Sequence, residues 1–209
     1  MANQKDTQVI TSNVVLTFPR LFKPEAMNEG EEEKYSVNLL IPKTDTVTID
    51  KIKAARKAAF EAGLKNYWNG KKPKNYQEKQ LVDGDEINAE LIAEGRDPRP
   101  ELDGHYRLNV SSKTKPGVVK PLNIKPNGKA DFVEITNEDE IYSGVIAKAS
   151  INFYSYDGKS YKGVTVGLNN ICKVSEGDYL GGRNSAATDF AGETFDLDES
   201  GLDDMDDLL

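Results

Sequence analysis

Cysteine, histidine and tryptophan occur once each in this chain of 209 residues, as Cys172, His105 and Trp68. A lone cysteine forms no internal disulfide, and one cysteine with one histidine excludes zinc sites built from those residue types. No metal and no cofactor is expected. No apolar run approaches the roughly 20 residues that cross a bilayer, and residues 1–13 lack the charged-then-apolar plan of a signal peptide. No membrane partner is expected, and the default compartment is the cytoplasm. The P-loop, the dinucleotide-binding glycine fingerprint, HExxH and GxSxG are all missing. His105, in Asp103-Gly104-His105-Tyr106, reads as a strand-edge residue and Cys172 as a small packing residue. The sequence thus points to no catalytic residue.

Charge is plentiful but unevenly placed. The net charge is −8, with 37% hydrophobic residues and a mean hydropathy of −0.61. Nine of the 35 acids fall between Asp189 and Leu209, where no base occurs, so the rest of the chain carries 26 acids against 27 bases. Such an acid run with few aromatics buries too little surface to offset its chain entropy, and disorder is expected there. The small polar residues from Gly181 to Thr188 read as a linker. The expected division is a folded domain over residues 1–182 and a flexible linker with acidic tail over 183–209. Phe195, Leu197, Leu202, Met205, Leu208 and Leu209 interrupt the acids, which a solubilising tail does not require.

Within the body the dominant period is two. Val145, Ala147, Ala149, Ile151 and Phe153 alternate with Ile146, Lys148, Ser150, Asn152 and Tyr154, the pattern of a half-buried strand with a usable outer face. Tyr106, Leu108 and Val110 form a similar row, as do Val164, Val166 and Leu168. Val14, Leu16 and Phe18, then Tyr35, Val37, Leu39 and Ile41, supply two more. One long helix is expected between Thr48, as cap, and Leu64, with Gly63 near its end, and a shorter one over 85–94. The fold class is mainly β: an OB-fold-like antiparallel barrel with one long inserted helix, other β-rich folds remaining open on pattern alone.

The bases are better organised than the acids. Between Asp103 and Asp131 there is no acid, while Arg107, Lys113, Lys115, Lys120, Lys125 and Lys129 accumulate around a turn-rich stretch. Lys65, Lys71, Lys72, Lys74 and Lys79 are interleaved with Tyr67, Trp68 and Tyr76; Lys148, Lys159, Lys162 and Lys173 accompany Tyr154, Tyr156 and Tyr161. Cations that track phosphates beside rings that stack on unpaired bases suit a single-stranded nucleic acid. A lysine-rich loop taken alone is most often simply solvated, so it is the combination of the clusters with outward strand positions that favours binding, and Trp68 is equally a pin holding its loop to the core. Asp83, Asp85 and Glu86 leave a metal-dependent nuclease as a minority reading. A protein-interaction or chaperone-like module, using the acidic tail on basic partners, is a second alternative.

Several blocks in order are familiar. Phe18-Pro19-Arg20-Leu21-Phe22-Lys23-Pro24, Tyr35 to Lys43, Gly104-His105-Tyr106 with Ser111-Ser112-Lys113 and Pro116-Gly117-Val118-Val119, Tyr142-Ser143-Gly144, Asn152-Phe153-Tyr154-Ser155-Tyr156, Gly163-Val164 with Gly167-Leu168-Asn169-Asn170-Ile171, and Gly181-Gly182-Arg183 resemble a bacteriophage single-stranded-DNA-binding protein family, long catalogued as a domain of unknown function. The resemblance implies an OB-fold that coats single strands in phage DNA replication and recombination inside an infected or prophage-carrying bacterium. It also implies an acidic tail that recruits replication or recombination proteins, and no catalysis. The binding candidates in the matched blocks are Arg107, Lys113, Lys148, Tyr154 and Tyr156, with Lys115 and Tyr161 adjoining; Trp68, Lys71 and Lys72 rest on composition. The candidate partner-binding residues of the tail are Phe195, Asp203, Asp204, Asp206, Asp207, Leu208 and Leu209. Tails of well-known single-strand binders commonly end near an aromatic residue, whereas this one ends Asp206-Asp207-Leu208-Leu209, so the final dipeptide and Phe195 are alternative anchors. A homodimer through an exposed sheet edge is compatible with the pattern but not required by it.

Overall fold

The computed structural model describes residues 4–26, 28–181 and 193. In chain order its main elements are α1 (Gln4–Thr7), β1 (Gln8–Ile10), β2 (Val14–Glu25), β3 (Lys34–Pro42), α2 (Thr46–Asn66), β4 (Tyr76–Glu78), β5 (Val82–Asp83), α3 (Gly84–Ala93), β6 (His105–Ser112), β7 (Gly117–Ile124), β8 (Ala130–Glu134), β9 (Ile146–Asp157) and β10 (Lys162–Ser175). The five rows read from alternation fall in β2, β3, β6, β9 and β10.

Those five strands close on themselves. β2 pairs with β3 and β3 with β6, both antiparallel. β6 meets β10 in parallel at Ser111 and Gly167; β10 runs antiparallel to β9, and β9 returns to β2 at Ala147 and Val14. This circuit is the expected OB-fold-like barrel. The sheet is less uniformly antiparallel than the alternation suggests, because β10 is long enough for its second edge to take β4, β6 and β7 in succession, all parallel.

Inside the barrel, Leu16, Val37, Leu39, Ile41, Leu108, Val110, Ile151, Phe153, Val166 and Leu168 are buried, each contributing about 1.5–3 kcal/mol of burial. Helix α2 adds Ile49, Ile52, Ala55 and Ala59 to this core and packs on β9, β1 and β10. It covers the inward side of β9, since its Gly63 faces Ser155. The outer side of β9 and β10 is left open.

Several local expectations are corrected. Asp45, not Thr48, caps α2: its Oδ1 accepts from the Thr48 N–H at 3.0 Å, while the buried Thr48 hydroxyl accepts from the Ser12 N–H at 2.9 Å. Gly63 lies inside α2, which runs on to Asn66; a Cβ there would stand 2.4 Å from two ring carbons of Trp68. The turn-rich basic stretch is the β7–β8 hairpin, with Pro121 tolerated at a register shift. Phe18 does not continue the buried row of Val14 and Leu16. The register slips between Thr17 and Arg20, and this bulge turns Phe18 outward, 57% exposed. No described helix is long and apolar enough to cross a membrane.

Candidate nucleic-acid interface

A polar trough crosses the outside of the barrel. Ser36 of β3 pairs with Ser111 of β6, Ser111 with Gly167 of β10, and Gly167 with Asn152 of β9. One register row therefore presents small polar residues or bare backbone across four strands. Beside it, the Asn109 Nδ2 donates to Asn38 Oδ1 at 2.9 Å, holding two further amides on the same face.

The trough deepens between β2 and β6 into a cavity of about 400 Å³ lined by Phe18, Arg20, Ser36, Asn38, Lys79, Arg107 and Asn109. Its charges are all positive. Arg20 is held by Glu25 at 2.8 Å, whereas neither Lys79 nor Arg107 has an acid at ion-pair distance among the described residues. Burial, and then the neighbouring Arg107 guanidinium, push the Lys79 ammonium below its ordinary pKa. The backbone N–H of Lys79 donates to the Val164 carbonyl at 3.0 Å, which extends the β4 pairing and fixes the residue between β10 and β6. Two crowded cations without counter-ions are poised for an anion.

An aromatic stands on each side of this charge. Phe18 has φ of 50°, left-handed for a residue that is neither glycine nor asparagine, and it precedes a proline, which disfavours helical backbone further. Its N–H is held by Ser143 Oγ at 2.9 Å. Strain of this kind costs on the order of 1–3 kcal/mol and clusters at functional positions. Across the trough, Tyr154 is 47% exposed and its ring lies over Gly167, 3.3 Å from where a Cβ would be. Tyr156 follows on the same face of β9, half-buried, with its phenol pKa raised by burial. Tyr161 is exposed in the β9–β10 loop.

The remaining sequence candidates separate. Arg107 sits in the cavity. Lys113 is paired with Glu32 at 2.7 Å, and the Lys115 ammonium lies 5.9 Å from the Phe22 ring centre, both beyond the end of β6. Lys71 is exposed and Lys72 lies 4.5 Å from the Tyr76 ring centre. Trp68 is a correction: it is only 6% exposed, its ring wedged among Phe60, Tyr76 and Gly63, and no base can stack on it there. Lys148 lies on the outer face of β9 but away from the cavity, beside Cys172. Phe195, Asp203, Asp204, Asp206, Asp207, Leu208 and Leu209 lie outside the described residues.

Phe18, Arg20, Asn38, Lys79 and Asn109 are additional site residues that the sequence reading did not single out. Phe18 and Arg20 stand in a quoted block and Lys79 in a quoted cluster, but only the bulge and the β4 extension bring them together. Two of the three acids considered for metal chemistry, Asp83 and Asp85, have structural employment. Asp83 caps α3, and the Lys43 ammonium donates to Asp83 at 2.6 Å and to Asp85 at 2.7 Å. Among the described residues no group of three or more His, Cys, Asp or Glu is placed to hold a metal ion.

A small closed barrel whose outer face carries unpaired cations between two exposed rings defines a class of β-barrel binding protein. The chain belongs to the family of the ssDNA-binding protein of Enterobacter phage Enc34, whose model matches residues 7–202. It is 29% identical over 184 residues to protein p50 of Acyrthosiphon pisum secondary endosymbiont phage 1, covering 86% of this chain and 90% of that one. The structure of the single-stranded DNA-binding protein of bacteriophage Enc34 in complex with ssDNA superposes with a TM-score of 0.62 at 25% identity, over 85% of this chain and 91% of that one. The gp2.5 single-stranded DNA-binding protein of bacteriophage T7 shares the fold, with a TM-score of 0.53 at 15% identity over 88% and 99% of the two chains.

Proposed function

We propose that this protein binds single-stranded DNA without sequence preference and without catalysis, coating it during phage DNA replication and recombination in the bacterial cytoplasm. The observation that carries this reading is the trough itself, where Arg107, Lys79 and Arg20 line one cavity with Phe18 beside it and Tyr154 standing over the same register row. Phosphates track the cations and bases stack on the rings; asparagine and serine edges supply hydrogen bonds that any base satisfies. Lys113, Lys115, Tyr161, Lys71 and Lys72 serve as outlying contacts along the strand's path, Tyr156 supports Tyr154, and Lys148 extends the positive field. The DNA-binding domain spans residues 1–182. Residues 183–209 follow it as a linker and an acidic arm that recruits replication or recombination proteins through its acids and apolar residues.

The test is a fluorescence anisotropy titration of labelled oligo-dT and of a matching duplex at several salt concentrations. The reading expects preference for the single strand and a salt slope of about −0.7 per phosphate neutralised. Equal affinity for the duplex, or cleavage of the oligonucleotide when magnesium is added, overturns it.

A further inference from the structure

The polar row of the trough runs out at β2. Asn152, Gly167, Ser111 and Ser36 follow one another across β9, β10, β6 and β3, and on the far side of β3 the residue opposite Ser36 is Arg20. Arg20 is locked to Glu25, and the bulge beside it raises Phe18. Past them lies a smaller hollow, of about 300 Å³, whose lining includes Lys23, Glu25 and Glu138. There the Lys23 ammonium is held by Glu138 at 3.0 Å. Its charges are balanced in pairs, so it offers a further phosphate no net attraction. The positive field thus ends at the cavity between β2 and β6.

That cavity holds the parts for one nucleotide. Its volume of about 400 Å³ stands at the small end of ligand sites. Ser36 and Asn38 of β3 line it between Phe18 on β2 and Arg107 and Asn109 on β6, and Phe18 is its only ring. The hydrogen bond from Asn109 to Asn38 leaves the Asn38 Nδ2 donor and the Asn109 Oδ1 acceptor for a base edge. With Arg20 neutralised by Glu25, Lys79 and Arg107 give the lining two positive charges. An internal phosphodiester brings one negative charge, whereas a phosphate monoester brings about −1.5 to −2 near pH 7 and three acceptor oxygens. Only the monoester comes close to neutralising both cations, and it has an oxygen to spare for the guanidinium fork. Lys79 bears its charge against burial and against Arg107, so it gains most from a dianion.

We propose that this cavity is the seat of a nucleotide carrying a phosphate monoester, either the phosphorylated end of a single strand or a free nucleoside monophosphate. Phe18 stacks on its base, and Lys79 and Arg107 take its phosphate. A monoester exists on a strand only at an end, so a seated end fixes where the outermost copy stands on a coated strand. The inference rests on the reading of the trough as the DNA-binding face and deepens it.

The test uses the full-length protein at about pH 8, where the monoester holds its second charge. Calorimetry compares dTMP with thymidine. Anisotropy compares oligo-dT of about eight residues, within the site sizes of such barrels, labelled on an internal base and carrying hydroxyl ends, a 5′-phosphate or a 3′-phosphate. We expect dTMP to bind and thymidine not to, and one phosphorylated end to tighten oligo-dT binding about tenfold, the order of one added charge-assisted hydrogen bond. The end that does so is the one the cavity holds, and a gain confined to dTMP assigns the seat to free nucleotides. The gain should shrink in Lys79→Gln and vanish in Lys79→Gln, Arg107→Gln, with melting transitions recorded on the same samples. Equal binding of the three oligonucleotides, with no heat from dTMP, overturns the proposal and leaves DNA binding standing. A gain that persists in the folded double variant also overturns it, because the monoester then binds elsewhere. If hydroxyl-ended oligo-dT does not bind at all, the DNA-binding reading itself fails and this inference with it.

Discussion

The ring of Tyr154 rests on the backbone of Gly167, with a ring carbon 3.3 Å from the position a Cβ would take. Gly167 is also the residue at which β10 meets Ser111 of β6 to close the barrel. The aromatic platform and the barrel closure thus share one residue, and the absence of a side chain there lets the ring lie close to the polar row.

Gly167→Val places a branched side chain where the ring lies, on a strand position whose backbone suits β-branched residues. The barrel is expected to stay folded while the ring is displaced. Oligo-dT affinity should fall by about the worth of one stacked base, roughly 1–3 kcal/mol, measured by anisotropy beside a thermal melt showing a preserved transition.

Trp68 anchors the segment after α2. Trp68→Ala should cost about 3–5 kcal/mol, as for other buried aromatics, seen as a lowered denaturation midpoint in urea. Gly63→Ala should be destabilising as well, because its Cβ would lie 2.4 Å from the indole and 2.9 Å from Ser155 Cβ. The indole Nε1 is buried and meets no acceptor among the described residues, so Trp68→Phe relieves an unsatisfied donor and should cost less than Trp68→Ala. All three variants should bind oligo-dT normally once folded.

The lowered pKa of Lys79 gives binding a pH dependence. Burial and Arg107 favour the neutral amine in the free protein, while a bound phosphate favours the ammonium. Affinity is therefore full below the free-state pKa of Lys79 and declines as pH rises through it, earlier than an ordinary lysine would allow. In titrations at successive alkaline pH values Lys79→Arg should remove this decline, and Arg107→Gln, which relieves the crowding, should move it to higher pH.

Acid should loosen the fastening of α3. The Asp83 carboxyl is held below its ordinary pKa first by the hydrogen bond from Lys43, and that of Asp85 by Lys43 and the Gly104 N–H. Carboxyls depressed in the folded state contribute stability that is present above their ordinary values and lost as pH falls through the folded ones. Melting temperatures followed downward in pH should drop through this range, and Asp85→Asn should flatten the drop.

The barrel was legible in the sequence where one strand sees the core on one side and water on the other. Val145 to Phe153 and Val164 to Leu168 announce their inward faces because period-two burial is a local property. Trp68 was ambiguous because a lone tryptophan among lysines carries no period, and Gly63 shows its purpose only when the indole is in place. Phe18 fits an alternating row so well that its outward turn is visible only in the bulge against β3. Lys79 and Arg107 are 28 positions apart and meet because β4 and β6 follow one another along the same edge of β10. The family resemblance of the ordered blocks agreed with the fold and with the family match, while the grouping of Phe18, Arg20 and Lys79 depended on tertiary pairing.

The most direct test of the trough as the binding face is the affinity of the Phe18→Ala, Tyr154→Ala double variant for labelled oligo-dT at fixed salt, with its melting transition recorded on the same sample. Both side chains are largely exposed, and loss of two stacked bases predicts weakening by roughly 2–6 kcal/mol in a protein that remains folded. A folded double variant that binds oligo-dT as tightly as the wild type would contradict the account.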